Sequence, residues 1–287
     1  MVMSMTTTPV KGNLRRSVAV GYQAFQKVAS VLLIVFFIVL IRHPHVEKIA
    51  VDIGMQAGIP DGKQGLRSTA ASQNRSCLPT KGLRPLRNRD EIGSLLEEFQ
   101  FRVGAEIGVQ RGLNTKELLT RWKSCETFHL IDLWAQQKNY EDAANVDDMK
   151  QESIFETAQR NLKPWESKTT FHRMLSTEAA MEFEPESLDY IYVDARHDYC
   201  GVMEDLEYYW PLLKPGGIMA GHDFKSATEV KGQDWGLCMD GTRNEGAVKG
   251  AVLDFFLSKG VTVSVPYEDG QWPSWIVQKP LCEAAQS

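Results

Sequence analysis

The chain has 287 residues, 43% of them hydrophobic and 24% charged, which is typical of a globular protein with one large domain and additional segments. Its formal net charge of −5 is unevenly distributed, because residues 1–46 carry five Lys or Arg and no Asp or Glu. Residues 47–89 add five net positive charges, so residues 90–287 carry −15. An acidic domain lacks the basic surface that phosphate binding requires, which argues against nucleic acid as a substrate.

The five cysteines are scattered at positions 77, 125, 200, 238 and 282, and none forms a CxxC pair. A structural zinc site is therefore not predicted. The odd number is compatible with free thiols, or with two disulfides and one remaining thiol.

An uncharged, strongly apolar run occupies residues 28–41, behind a basic segment at residues 1–27. A membrane-spanning helix needs about 20 residues, but residues 18–26 are also uncharged and Lys27 can extend its amine to the membrane surface. We predict a single-pass signal anchor with a cytosolic N-terminus, which would hold the protein in the membrane of the ER or Golgi with its main domain in the lumen. A cleaved signal peptide of a secreted protein and an organellar transit peptide are the alternatives.

Residues 42–89 lack sustained periodicity and are rich in Gly, Pro, Ser, Lys and Arg, which is typical of a stem or linker. Asn74 begins the only N-glycosylation sequon of the chain, as a lumenal stem would allow. Residues 90–287 are predicted to form the folded domain.

From residue 90 onwards, short apolar runs alternate with segments of helical periodicity. The predicted strands are residues 103–109, 127–133, 169–174, 191–193, 218–220, 261–265 and 274–278. This alternation predicts an α/β fold of the Rossmann-like, doubly wound type, with a mostly parallel seven-stranded sheet.

A glycine-rich segment follows the first predicted strand, and Gly108 and Gly112 allow a tight turn that approaches a ligand closely. Its spacing differs from the GxGxxG pattern of dinucleotide-binding proteins. Glu106 disfavours a pyrophosphate and favours a ligand with a positive charge. Asp132 ends the second strand, where it can accept both ribose hydroxyls of a nucleoside.

Aspartate and histidine follow two further strands. Asp194 and His197 come after one strand, and His222 and Asp223 end the next. Because the carboxyl ends of parallel strands line one crevice, these four side chains are expected to converge there. The sequence therefore predicts a metal site or an acid/base site.

Taken together, the ExGxxxG segment at residues 106–112, the acid of Asp132 and the LKPGG turn at residues 213–217 resemble the class I S-adenosylmethionine (SAM)-dependent methyltransferases. The similarity extends over residues 102–279. The D-x-x-H-x-Y pattern from Asp194, followed by His222-Asp223, resembles the macrocin O-methyltransferase-like subgroup. The resemblance also implies that the last strand is antiparallel.

The same resemblance implies roles for individual residues. It implies cofactor contacts at Glu106, Gly108, Gly112 and Asp132, with the segment from Arg173 to Ser176 near the adenine. It further implies a divalent cation, usually Mg²⁺, at Asp194 and Asp223, with His197 as the catalytic base. Relatives often have an acid at the position of His222, which is here a candidate nitrogen ligand although Mg²⁺ prefers oxygen.

We therefore expect an O-methyltransferase that acts on a hydroxyl of a small molecule or sugar, with a cation that lowers the acceptor pKa. Trp134, Asn139 and Tyr140 follow the second strand and form either a lid over the acceptor or ordinary loop packing. A metal-independent methyltransferase and a non-catalytic SAM-binding protein are the alternatives. A nicotinamide oxidoreductase shares the fold class but requires the glycine fingerprint that this chain lacks.

Overall fold

The computed structural model describes residues 82–266 and 268–281. Six strands form one sheet in the order β3-β2-β1-β4-β5-β6, in which the first five are parallel and β6 is antiparallel to β5. The strands are β1 (Val103–Ile107), β2 (Thr127–Asp132), β3 (Thr169–Arg173), β4 (Leu188–Val193), β5 (Leu213–Gly221) and β6 (Trp275–Gln278). The predicted Rossmann-like fold and its antiparallel last strand are confirmed.

Helices cover both faces of the sheet, because each central strand is apolar on both sides. The helices are α1 (Ile92–Glu98), α2 (Leu113–Arg121), α3 (Asp148–Leu162), α4 (Ser176–Ala180), α5 (Tyr199–Tyr209) and α6 (Ala247–Ser258). On β4, Tyr190 and Tyr192 pack in the core beneath α1–α3, whereas Ile191 and Val193 pack beneath α4–α6. This double burial is typical of parallel sheets.

The prediction of seven strands is wrong for the part of the chain that the structure describes. Residues 261–265 form only an isolated antiparallel bridge, in which Ser264 and Ile276 exchange two backbone hydrogen bonds of 2.9 Å. The side chain of Val265 is 44% exposed, and Pro266 has no N–H to continue a ladder. The β-branched residues of this run therefore predicted a strand that does not form.

Two helices begin in different ways. Asp147 caps α3 by accepting from the Lys150 backbone N–H at 3.0 Å. Helix α2 begins directly after Gly112, and the Asn114 amide in its first turn donates to Glu106. The LKPGG turn lies within β5, where the register with β4 shifts.

The predicted anchor at residues 28–41 and nearly all of the predicted linker lie outside the described residues. Within residues 82–266 and 268–281, the helices are all too short or too polar to cross a membrane. Cys200 and Cys238 form a disulfide, and Cys125 is a buried thiol. Cys77 and Cys282 also lie outside the described residues.

Candidate active site

A cavity of about 800 Å³ opens at the carboxyl ends of the parallel strands. Its volume is within the range of small-molecule and cofactor sites. Residues at the ends of β1, β2, β4 and β5 line it, together with residues after β3 and on the first half of α5. The cavity thus lies at the crevice where ligands bind in open α/β sheets.

Both predicted loop glycines occupy positions that a side chain could not. Gly108 has φ +87°, and a Cβ there would lie 1.9 Å from the Asp194 carbonyl oxygen. Gly112 has φ +69°, and a Cβ there would lie 2.8 Å from Leu162 Cδ1. The loop between β1 and α2 can therefore lie against β4 and α3 only with glycine at these positions.

Glu106 projects from β1 beneath this loop and is 1% exposed. Its carboxylate accepts hydrogen bonds from Asn114 Nδ2 at 3.2 Å and from the Thr115 hydroxyl. Burial raises the pKa of Glu106 to about 8, although these two hydrogen bonds oppose the shift. A ligand ammonium group at this position would compensate the buried charge.

The Asp132 carboxylate holds the glycine loop to the end of β2. Its Oδ2 accepts from the backbone N–H groups of Val109 and Gln110 at 2.9 and 2.8 Å, and its Oδ1 accepts from that of Trp134 at 2.8 Å. A carboxylate has about four acceptor positions, and backbone N–H groups already occupy most of those of Asp132. The residue lines the cavity, where the sequence analysis expected it to contact a ribose.

The segment after β3 contributes to the cavity through residues other than Arg173. The Arg173 guanidinium pairs with Glu152 at 2.7 Å, lies over the Phe155 ring and does not line the cavity. Met174 and Ser176 do line it, next to the buried Asp205 on α5. Burial raises the pKa of Asp205 to about 7, although a hydrogen bond with Ser176 opposes the shift. This carboxyl group was missed in the sequence, where it falls within ordinary helical periodicity.

The two aspartate and histidine pairs converge at the ends of β4 and β5, as predicted. His197 Nε2 lies 3.1 Å from Asp223 Oδ2 and 3.5 Å from Asp194 Oδ1. One ligand atom from each of these three residues lies within 4.8 Å of the other two, which suits a metal ion. His222 Nδ1 is 3.0 Å from Asp223 Oδ1 but 4.0 Å from Asp194 Oδ2, so His197 is more central than His222.

Asp142 and Trp235 complete this cluster, and neither belongs to a recognisable motif. Asp142 Oδ2 lies 2.9 Å from His197 Nδ1 and accepts from Trp235 Nε1 at 2.8 Å. Asp142 Oδ1 accepts from the Ala144 backbone N–H at 2.7 Å, and the Trp235 ring lies 4.3 Å from the His197 ring. The Asp142 carboxylate thus fixes the orientation of the His197 imidazole.

Three carboxylates surround the His197 imidazole. Burial by itself lowers the pKa of His197, but Asp142, Asp194 and Asp223 outweigh this effect and raise that pKa to about 10. The cluster therefore has the electrostatic character of a cation site.

Two loops, residues 134–146 and 225–246, cover the side of the cavity next to His197, and we call them the roof. The Ala143 N–H donates to Gln233 Oε1 at 2.8 Å, and Asn139 Nδ2 donates to the Met239 carbonyl at 2.9 Å. Glu141 and Asp234 also form an antiparallel bridge between the two loops. The disulfide of Cys238 with Cys200 joins the second loop to α5.

The three residues expected to form a lid have different positions. Tyr140 lines the cavity, and its hydroxyl donates to the Ala195 carbonyl at 3.1 Å. Asn139 joins the two loops of the roof, whereas Trp134 is fully buried against Phe155. The packing interpretation thus applies to Trp134, whereas a lid formed by Asn139 and Tyr140 stays a prediction.

Residues 105–224 match a protein family described as a methyltransferase domain. This segment contains the glycine loop, Asp132 and all four residues of the aspartate and histidine pairs. The match confirms the prediction of a SAM-dependent methyltransferase, whereas the macrocin-like subgroup stays a prediction. No curated protein matches the chain.

Solved structures with similar folds include three O-methyltransferases. An O-methyltransferase from Bacillus cereus in complex with S-adenosylhomocysteine (SAH) is 18% identical, with a TM-score of 0.47 over 70% of this chain and 84% of that chain. TomG from Streptomyces achromogenes, in complex with SAM, is 13% identical, with a TM-score of 0.45 over 67% and 79%. An O-methyltransferase family protein from Burkholderia thailandensis is 14% identical, with a TM-score of 0.48 over 68% of this chain and 56% of that chain.

Proposed function

We propose that this methyltransferase domain is an O-methyltransferase that transfers the SAM methyl group to a hydroxyl of a small molecule or sugar, assisted by a divalent cation. The observation that carries the proposal is the cluster of Asp194, His197 and Asp223 in the same cavity as the glycine loop. The cofactor loop and a group able to accept a proton thus face one enclosed space.

The donor atoms fit a divalent cation. Asp194 and Asp223 would hold it through carboxylate oxygens, the ligands that Mg²⁺ prefers, and nitrogen from His222 would extend the choice to Mn²⁺ or Zn²⁺. A bound cation would supply a lower pKa for the acceptor hydroxyl. Because Asp194 and Asp223 also help to keep His197 protonated, a proton on His197 and a cation compete for the same carboxylates.

In the reaction, the acceptor oxygen attacks the methyl carbon of the sulfonium, the new C–O bond forms as the C–S bond breaks, and SAH is the leaving group. The residues of the cavity hold the two reactants in line and exclude water. Asp142 holds a hydrogen on Nδ1 of His197, so Nε2 of the neutral imidazole is the atom that accepts the acceptor proton. Trp235 fixes Asp142 in turn.

The test is transfer of labelled methyl from SAM to a panel of hydroxylated acceptors, with and without EDTA. Chelation should abolish transfer and leave SAH binding nearly unchanged, and Asp194→Ala and Asp223→Ala should behave in the same way. His197→Ala should retain the cation and lose roughly 10²–10⁴ in rate. Asp142→Asn should lower kcat with little effect on the KM of SAM.

Other outcomes would favour the alternatives. Full activity in EDTA, with both aspartate variants active, would contradict the metal mechanism and favour a metal-independent enzyme, for which Asp194 only orients the substrate. SAH binding without transfer to any acceptor would favour a non-catalytic SAM-binding protein.

We further propose that residues 28–41 anchor the protein in the ER or Golgi membrane, with the domain in the lumen. The support is the basic N-terminal flank and the Cys200–Cys238 disulfide, because disulfides persist in oxidising compartments and are rare in the cytosol.

A further inference from the structure

The cavity is strongly acidic, yet among the described residues that line it one half-buried positive group has no ion pair with a carboxylate. Among the described residues that line it, seven carry a carboxyl group and three are arginines. Arg196 is neutralised by Asp198 at 2.6 Å and donates also to the carbonyls of Lys138 and Asn139. Arg111 is exposed and donates to the Gln110 side chain, which leaves Arg89.

Arg89 is a half-buried residue that begins a short 3-10 helix, Arg89–Glu91, directly before α1. Its backbone N–H donates to Asp269 Oδ1 at 2.8 Å, and Asp269 Oδ2 accepts from the Ser274 N–H at 2.7 Å. The backbone of Arg89 is thereby fastened to the loop before β6. Within the described part of the chain, the charges of Asp194 and Asp269 act on its guanidinium, but neither carboxylate is close enough to form an ion pair with it.

The surroundings of the guanidinium connect it to the glycine loop. Tyr192 and Glu106 are register partners on adjacent strands, so their side chains lie side by side on one face of the sheet. The Tyr192 hydroxyl is buried near Arg89 and has no partner of good hydrogen-bond geometry. Arg89 and Glu106 thus line the same cavity, and the buried Tyr192 phenol behind it interacts with both.

This arrangement complements the two charged groups of an α-amino acid. An ammonium group next to Glu106 would compensate its buried charge, and a carboxylate next to Arg89 would supply the missing anion. SAM carries both groups on its methionine portion, and SAH carries them on its homocysteine portion. We propose that Arg89 binds the α-carboxylate of the cofactor while Glu106 binds its α-ammonium. This inference rests on the proposed function and adds a cofactor residue outside the matched segment 105–224.

Calorimetry with ligands that differ in one group tests the assignment in the full-length protein. The ligands are SAH, SAM, decarboxylated SAM, which lacks the α-carboxylate, and methylthioadenosine, which lacks the whole amino acid. Wild-type protein should bind SAM roughly 10- to 100-fold more tightly than decarboxylated SAM, the usual effect of one charge-assisted contact. Arg89→Met should weaken SAM and SAH binding by a similar factor, remove this preference and leave methylthioadenosine binding unchanged.

Two further variants make the result specific. Arg89→Lys should recover part of the lost affinity, because an ammonium retains the charge but not the bidentate geometry. Arg87→Met is the matched control, since Arg87 lies in the same segment and its guanidinium pairs with Glu268 at 2.8 Å. This control should bind all four ligands as the wild type does.

Four results would overturn the inference. Wild-type SAH affinity in Arg89→Met, with only the KM of an acidic acceptor raised, would assign Arg89 to an acceptor carboxylate. Equal loss of methylthioadenosine binding and of thermal stability would assign it a structural role. Equal wild-type affinities for SAM and decarboxylated SAM would contradict the carboxylate contact and leave the proposed function intact, whereas wild-type protein that bound none of the ligands would contradict both.

Discussion

At the scale of single residues, Glu106 shows how burial and function are linked. The carboxyl group lies under the glycine loop with only two hydrogen-bond donors, and burial raises its pKa to about 8. The corresponding value in an unfolded chain is about 4.3. Between these values the folded protein binds more protons than the unfolded chain, so its stability decreases as the pH rises.

This difference predicts that the stability of the ligand-free protein falls between about pH 4.3 and pH 8. Each unit of pKa difference corresponds to about 1.4 kcal/mol, so the loss reaches a few kcal/mol. Urea unfolding at several pH values should show a downward slope for the wild type, and Glu106→Gln should make it clearly shallower and leave the part that Asp205 and His197 contribute. Glu184→Gln, at an exposed position, is the matched control and should retain the slope. The same slope in Glu106→Gln would contradict the assignment.

The location of His197 was predictable from the sequence, but the residue that orients its side chain, Asp142, was not. The position of His197 after a predicted strand was sufficient to expect it at the site. Its orientation depends on Asp142, which is 55 residues away in the sequence and forms no spacing pattern with it. Loop residues that meet only through the fold leave no periodic signal in the sequence.

At the scale of structural elements, the roof is the part of the site that is most dependent on tertiary contacts. Its two loops are joined by several hydrogen bonds and fastened to α5 by the disulfide. The Trp235 side chain extends from the roof to Asp142. A change in the roof should therefore affect the environment of His197.

Replacement of both Cys200 and Cys238 by Ser should reduce the free energy of unfolding by roughly 2–4 kcal/mol, because the bond spans 38 residues. It should also raise the KM of the acceptor more than that of SAM, since the disulfide joins the roof next to His197 to α5. Urea unfolding with and without reductant measures the first effect, and reductant should change only the wild type. Cys125→Ala, which removes a buried thiol elsewhere, should keep the wild-type response to reductant. Equal stability of wild type and double variant would contradict a stabilising disulfide.

At the scale of the whole molecule, charge is divided between a basic N-terminal part and an acidic domain. The positive-inside rule then favours a cytosolic N-terminus and a lumenal domain. Full-length protein from a glycosylating cell should remain with membranes after alkaline extraction and lose mass on glycosidase treatment. Asn74→Gln should abolish the mass shift without releasing the protein. Full-length protein recovered without membranes and with reduced Cys200 and Cys238 would contradict the lumenal anchor.

The sequence by itself determined the features that depend on short stretches of chain. The six strands were located because buried strands need apolar runs, and the antiparallel direction of the last one was implied by the family resemblance. Gly108 and Gly112 were identified because their turn excludes a side chain, and Asp194 and Asp223 because parallel strands end at one edge.

Tertiary structure decided the features that join distant segments. The run at residues 261–265 has the composition of a strand, but of these residues only Ser264 forms a bridge with another strand. The disulfide between Cys200 and Cys238, the contact of Asp142 with His197 and the position of Arg89 beside Tyr192 all connect separate loops. Such contacts follow from how helices and loops pack around the sheet, and packing is set by the whole chain, so no local pattern specifies them.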